Sequence, residues 1–248
     1  GLAALVAFVF LERVRKHPML PLEIFRSLQF TGANLVTLAV YAAFGGVTFL
    51  LVLLLQEVLG YSPTLSGAAL LPATAIMLVL SARVGRLAGR IGPRLPMTVG
   101  PLVVGLGLFL LGRVGPGSSY ASSVLPAVVV FGFGLAITVG PLTASVLGAV
   151  EDRHLGVGSA FNNAVARAAG LLAVAVLPRV AGLQTSAADT NAFADGFPRA
   201  ARLGAVLCWV GAAIAWATIR TAAPTQSVPH PAVDHGCAHP CVADQAAA

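Results

Sequence analysis

Apolar and polar residues alternate along this chain in blocks rather than residue by residue. Apolar runs occupy roughly 31–55, 65–82, 96–112, 124–147, 156–178 and 202–219, with short polar gaps between them. At 1.5 Å rise per residue, the roughly 30 Å hydrocarbon core of a bilayer is crossed by about 17–25 apolar residues. Each run is therefore predicted to be one membrane-spanning helix, the third and last being at the short end. Another apolar run, residues 1–11, passes directly into ERVRK. It has neither the charged start nor the small-residue cleavage site of a signal peptide. It is expected to be the end of a truncated transmembrane helix, which would make the chain a fragment. The expected organisation is that end (1–11), a linker (12–30), a six-helix bundle (31–219) and a tail (220–248).

The gaps differ in charge. The linker carries Arg13, Arg15, Lys16 and Arg26, the next gap no Lys or Arg, and the third Arg83, Arg86, Arg90 and Arg94. Beyond these come Arg113, then Arg153 beside Glu151 and Asp152, then Arg179 and Arg199, and finally Arg220 at the head of the tail. The two strongly basic gaps fall on one side of an up-and-down topology. Basic loops stay in the cytoplasm, so that side, and the tail with it, is expected to be cytoplasmic in a multi-pass cell-membrane protein. The tail is rich in Pro and Ala, has no periodicity and is expected to be disordered.

Composition agrees with this pattern. The chain is 57% hydrophobic and 10% charged, whereas soluble domains carry about 25% charged residues. The mean hydropathy is +0.88. The net charge of +6 lies almost wholly in the gaps, which points to membrane orientation and away from nucleic acid. Three cysteines form no disulfide framework. Cys237 and Cys241 sit in the tail with His230, His235 and His239, but without a second ligand pair at zinc-finger spacing. No metal site and no cofactor is expected.

The most informative residue is Arg167, inside the apolar stretch LGVGSAFNNAVARAAGLLAVAVL. A charge at the centre of a span costs roughly 2.5–3.5 kcal/mol on insertion scales, and such residues usually face a bundle interior or a wet cavity. Asn163 lies four residues earlier on the same helix face, and Asn162 about 100° round from it. This group either lines a substrate pathway or supports it structurally. In the first complete span, Asn34, Thr37 and Tyr41 share a face, which suits cavity lining or hydrogen bonding between helices. Gly140-Pro141 interrupts the fourth span and is a candidate hinge. No complete span holds Asp or Glu well inside it, so a proton carrier is not expected among these residues. The spans contain no His, and the chain has no GxxxxGK[ST] motif. An enzyme is therefore not expected.

The third gap contains Gly85-Arg86-Leu87-Ala88-Gly89-Arg90-Ile91-Gly92-Pro93-Arg94. With an apolar span on either side, it resembles the basic cytoplasmic loop of the major facilitator superfamily, Gly-x-Leu-Ala-Asp-Arg-x-Gly-x-Arg/Lys. Residues 17–36 and 156–177 are similar to the junction ahead of the C-terminal six helices and to the next-to-last helix of its fourteen-helix drug/proton antiporter branch. The resemblance implies an all-α polytopic bundle, the C-terminal six-helix half of that fold. It also implies alternating access against an N-terminal half, with a drug-like small molecule as substrate and protons as coupling ion. In the loop, the glycines would make the tight turn. Arg86, Arg90 and Arg94 would bind helix ends as a cytoplasmic gate, together with Gly85 and Gly92. Gly89 stands where the family has aspartate, so that carboxylate's pairing is missing. The alternative is a truncated membrane protein that does not transport but assembles with or regulates a partner.

Overall fold

The computed structural model describes residues 21–183 and 190–220. Among them all regular structure is helical, and six helices are long and apolar enough to cross a membrane. They are α1 (Leu28–Glu57), α2 (Leu71–Ile91), α3 (Arg94–Leu111), α4 (Leu125–Leu147), α5 (Leu155–Val180) and α6 (Thr190–Thr218). A 3-10 turn, Leu22–Arg26, precedes α1, and a short helix, Pro63–Ala68, precedes α2. Ser27 starts α1 by accepting a hydrogen bond from the Phe30 amide at 3.2 Å, satisfying one otherwise orphaned donor. The expected helix end at 1–11, the first part of the linker and the Cys/His tail lie outside the described residues.

The six spans have the expected order, but two have different limits. The second continues to Ile91 instead of ending near 82, and the last begins at Thr190 instead of near 202. Hydropathy marks where a helix meets hydrocarbon. It does not mark where the helix stops, because arginine is nearly as good a helix former as leucine. At α2 a basic helix end thus projects beyond the apolar run, and at α6 the added turns carry both Asp195 and Arg199.

The packing has a simple symmetry. The main contacts are α1 with α5 and α6, α4 with α2 and α3, and α3 with α6. Exchanging α1–α3 for α4–α6 leaves this pattern unchanged. The second helix of each triplet leans on the other triplet, so the consecutive pairs α2/α3 and α5/α6 barely touch. Lipid offers apolar groups the same environment as a core does, so close backbone approach drives helix association. Glycines permit that approach. A Cβ on Gly45 of α1 would come within 2.9 Å of the Gly170 Cα of α5. One on Gly134 of α4 would overlap the Val104 backbone of α3. The fully buried Phe30, Phe131, Phe197, Leu50, Leu54 and Met97 fill the remaining space.

Candidate functional site

At the arginine-rich end of the bundle, α1 and α5 are joined by two adjacent clusters. In the first, Phe25, Phe30 and Phe161 meet with ring centroids 4.9–5.9 Å apart. Phe25 belongs to the 3-10 turn, whose end is tied to α1 by a hydrogen bond from Thr31 Oγ1 to the Phe25 carbonyl at 2.9 Å. One turn deeper is a polar clamp. Asn162 Nδ2 of α5 donates to Asn34 Oδ1 at 3.1 Å and to Thr37 Oγ1 at 2.7 Å on α1. Asn34 Nδ2 in turn donates to the Phe30 carbonyl at 2.9 Å, and Thr37 Oγ1 to that of Ala33 at 3.0 Å. Asn34 and Thr37 are buried, so every polar atom named here has a partner where an orphan would be costly.

The two neighbouring asparagines therefore do different things. Asn163 and Arg167 share a face, as their spacing predicts, but both are exposed and that face turns away from α1. Asn163 Nδ2 donates to the Ser159 carbonyl of its own helix, at 3.3 Å. Within the described helices Arg167 is therefore not packed in the bundle interior, which leaves the wet-cavity alternative for this residue. The α1/α5 seam is built from small side chains and glycine, including Gly45, Gly46, Gly170 and Ala173, and has no room for a guanidinium. Tyr41 is half-buried, edge-on to Phe44 at 6.5 Å. Phe44 stacks on Phe131 of α4 at 5.7 Å, making an aromatic bridge between the two central helices.

The basic loop is shorter than its sequence suggests. Gly85, Arg86 and Arg90 all lie within α2. The turn rests on Gly92, whose φ of 85° and ψ of 159° suit only glycine, and on Pro93 after it. The expectation that the glycines together make the turn is corrected, because Gly85 and Gly89 are helical. Arg94, the first residue of α3, reaches the far end of the chain. Its Nε donates to the Trp216 carbonyl at 3.1 Å, and its guanidinium lies 4.1 Å from the Trp216 ring centroid. It thereby satisfies a carbonyl in the last turn of α6, where positive charge is favoured. Arg86 and Arg90 are exposed.

The candidate hinge packs against this same loop helix. α4 runs unbroken from Leu125 to Leu147 with Pro141 inside it and buried. A Cβ on Gly140 would lie 3.5 Å from the Ser81 carbonyl and 3.7 Å from the Gly85 Cα of α2. One turn beyond Pro141, the buried Ser145 hydroxyl has no hydrogen-bond partner among the described residues. Pro141 has no amide hydrogen, so it leaves the Ile137 carbonyl without its helical donor. Nothing in the sequence marks Trp216, Phe161 or Ser145. Each is an ordinary residue in an apolar run, and only the crossing of helices gives it a role.

The geometry defines a multi-pass helical membrane protein with polar residues concentrated on α1 and α5. The sequence profile of the Major Facilitator Superfamily matches residues 1–174, and the chain belongs to that family. It is similar to the multidrug resistance protein Stp of Mycobacterium tuberculosis, 34% identical over 182 residues, 73% of this chain and 33% of that protein. The cephamycin export protein CmcT of Amycolatopsis lactamdurans is 31% identical over 188 residues, 75% of this chain and 39% of that one. The multidrug export protein EmrB of Escherichia coli is 29% identical over 177 residues, 70% and 34% of the two chains. The chain spans about a third of the length of these curated relatives.

Proposed function

We propose that this chain forms one half of a drug exporter in the cell membrane, working by alternating access against a second helical half. Arg167 carries this reading. It lies midway along a membrane-length helix and points away from α1. Facing lipid there, it would cost roughly 2.5–3.5 kcal/mol on insertion scales. Against a second half or a water-filled pathway it would not. In this reading the face bearing Asn163 and Arg167 borders the pathway. Asn162, Asn34 and Thr37 hold that helix at a fixed rotation, and Tyr41 with Phe44 contributes an aromatic wall. Similarity to proteins named for multidrug resistance and export supports a small, drug-like substrate.

The arginine-rich end, with the tail, is cytoplasmic in this reading, by the loop-charge rule. Arg94 latches α3 to α6, while Arg86 and Arg90 act at the gate through helix ends or anionic lipid. Gly140-Pro141 is the flexible point of α4, placed where it moves against the gate helix. Proton entry is the coupling reaction, with its carboxylate outside the apolar segments of this chain.

The test is efflux of a fluorescent cationic drug from cells lacking their own exporters. The natural polypeptide carrying Arg167→Ala or Arg167→Lys is compared with the parent at equal membrane abundance. Export is expected to fall at least tenfold for Ala and less for Lys. Parent-level export by Arg167→Ala would overturn the pathway role. Insertion of the parent without any export would favour the non-transporting reading.

A further inference from the structure

Consecutive helices α5 and α6 scarcely touch, because each leans on α1. The gap between them is an apolar groove of about 470 Å³. Its floor includes Leu38 and Ala42 of α1, and its walls include Leu172 and Val176 of α5 and Leu203 and Val206 of α6. Along α5 it extends from Ala169 to Val180, a rise of roughly 16 Å at 1.5 Å per residue. That is about the depth of one leaflet, half of a roughly 30 Å hydrocarbon core.

Both walls end in arginine at the same mouth. On α5, Arg179 follows Leu172 and Val176 at helical spacing. On α6, Arg199 stands one turn before Leu203, and Arg202 one turn before Val206. All three are exposed. A Cβ built on Gly182, just past the end of α5, would lie 3.6 Å from Arg199 Nη1, so that guanidinium sits over the mouth. The carbonyls at the end of α5 do not need these side chains. The Leu183 amide donates to the Pro178 carbonyl at 2.8 Å and the Gly182 amide to that of Arg179 at 3.1 Å, a closed Schellman cap. Asp195 lies one turn beyond Arg199, away from the groove, and the ion pair found among the described residues is Arg153 with Glu151.

We infer that this groove is a site for an anionic phospholipid in the leaflet opposite the basic loop. One acyl chain lies between α5 and α6, and the phosphate is held by Arg179, Arg199 and Arg202. An apolar slot of leaflet depth with three cations at its mouth is complementary to such a lipid in both length and charge. Arg167 lies on the opposite side of α5, so a second half covering Arg167 leaves the groove open to the bilayer. The site is therefore independent of the export reading.

The test reconstitutes the full chain with phosphatidylglycerol carrying a photoreactive group in its acyl chain, or with the matching phosphatidylcholine. Labelling is expected on α5 and α6 at Leu172–Val180 and around Leu203–Val206, several-fold stronger for phosphatidylglycerol. Each Arg→Gln change among the three is expected to weaken labelling roughly fivefold, the factor for about 1 kcal/mol per basic residue. Arg113→Gln, at the same end but outside the groove, is expected to leave labelling unchanged. Val206→Trp, which fills the groove, should abolish it for both lipids. Equal labelling by the two lipids, or insensitivity to all three arginines, would overturn the inference. So would efficient cross-linking of Leu172→Cys to another protein segment, which would identify a protein occupant.

Discussion

Three glycines in one ten-residue stretch are expected to respond to alanine with opposite signs. Gly92 sits at φ 85°, ψ 159°, a region essentially restricted to glycine, where a side chain costs of order 1–3 kcal/mol. Gly85 and Gly89 lie inside α2, and a Cβ on either would meet nothing within 4 Å. Alanine there should stabilise by about 0.5–1 kcal/mol, by lowering the entropy lost when helix forms. Gly89→Ala and Gly92→Ala should therefore differ by roughly 1.5–4 kcal/mol, more than tenfold in the unfolding equilibrium. Buried Cys208 provides the assay, because it is the cysteine among the described residues. With Cys237 and Cys241 replaced by serine, the rate at which a thiol reagent labels the protein in micelles reports opening of the bundle. Gly92→Ala should label faster than the parent, and Gly89→Ala no faster. Equal loss of protection in all three variants would refute this reasoning. It would mean that the chain turns across the whole of 85–92, as the loop's resemblance alone implies.

Two further outcomes follow from side-chain geometry. Asn162→Ala removes two hydrogen bonds between helices, each worth about 0.6 kcal/mol on average in membranes, and should destabilise by roughly 1–2 kcal/mol. A double-mutant cycle with Asn34→Ala should show coupling, and additivity of the two changes would rule out the clamp. Arg94→Ala loses the bond to the Trp216 carbonyl and the contact with its ring. At a partly exposed site this should cost about 1 kcal/mol. Trp216 fluorescence should shift, whereas Arg94→Lys should keep the charge but restore only part of the effect. An unchanged spectrum in Arg94→Ala would show that the contact does not hold in the membrane.

What the sequence shows about the site depends on what each residue must avoid. A charge cannot rest in hydrocarbon, so Arg167 marks its helix without any structure. Spacing alone puts Asn163 beside it. Which of Asn162 and Asn163 enters the bundle is not legible, because the flanking positions are small or apolar on every side of α5. The Arg94–Trp216 contact joins residues 122 positions apart, and neither residue is unusual where it stands.

The sequence by itself determined the number and order of the spans and the excess of basic charge at one end. Hydrocarbon sets a length and a composition for anything that crosses it, and both are written locally. Tertiary structure alone decided how far α2 and α6 extend, and which glycine makes the turn. It also decided that α5 turns Asn162 inward and Arg167 outward, and that a groove opens between two helices adjacent in sequence. In a bilayer the lipid-facing and buried sides of a helix are equally apolar, so hydropathy carries little information about rotation. That choice falls to close packing between backbones, which depends on pairs of positions far apart in the chain.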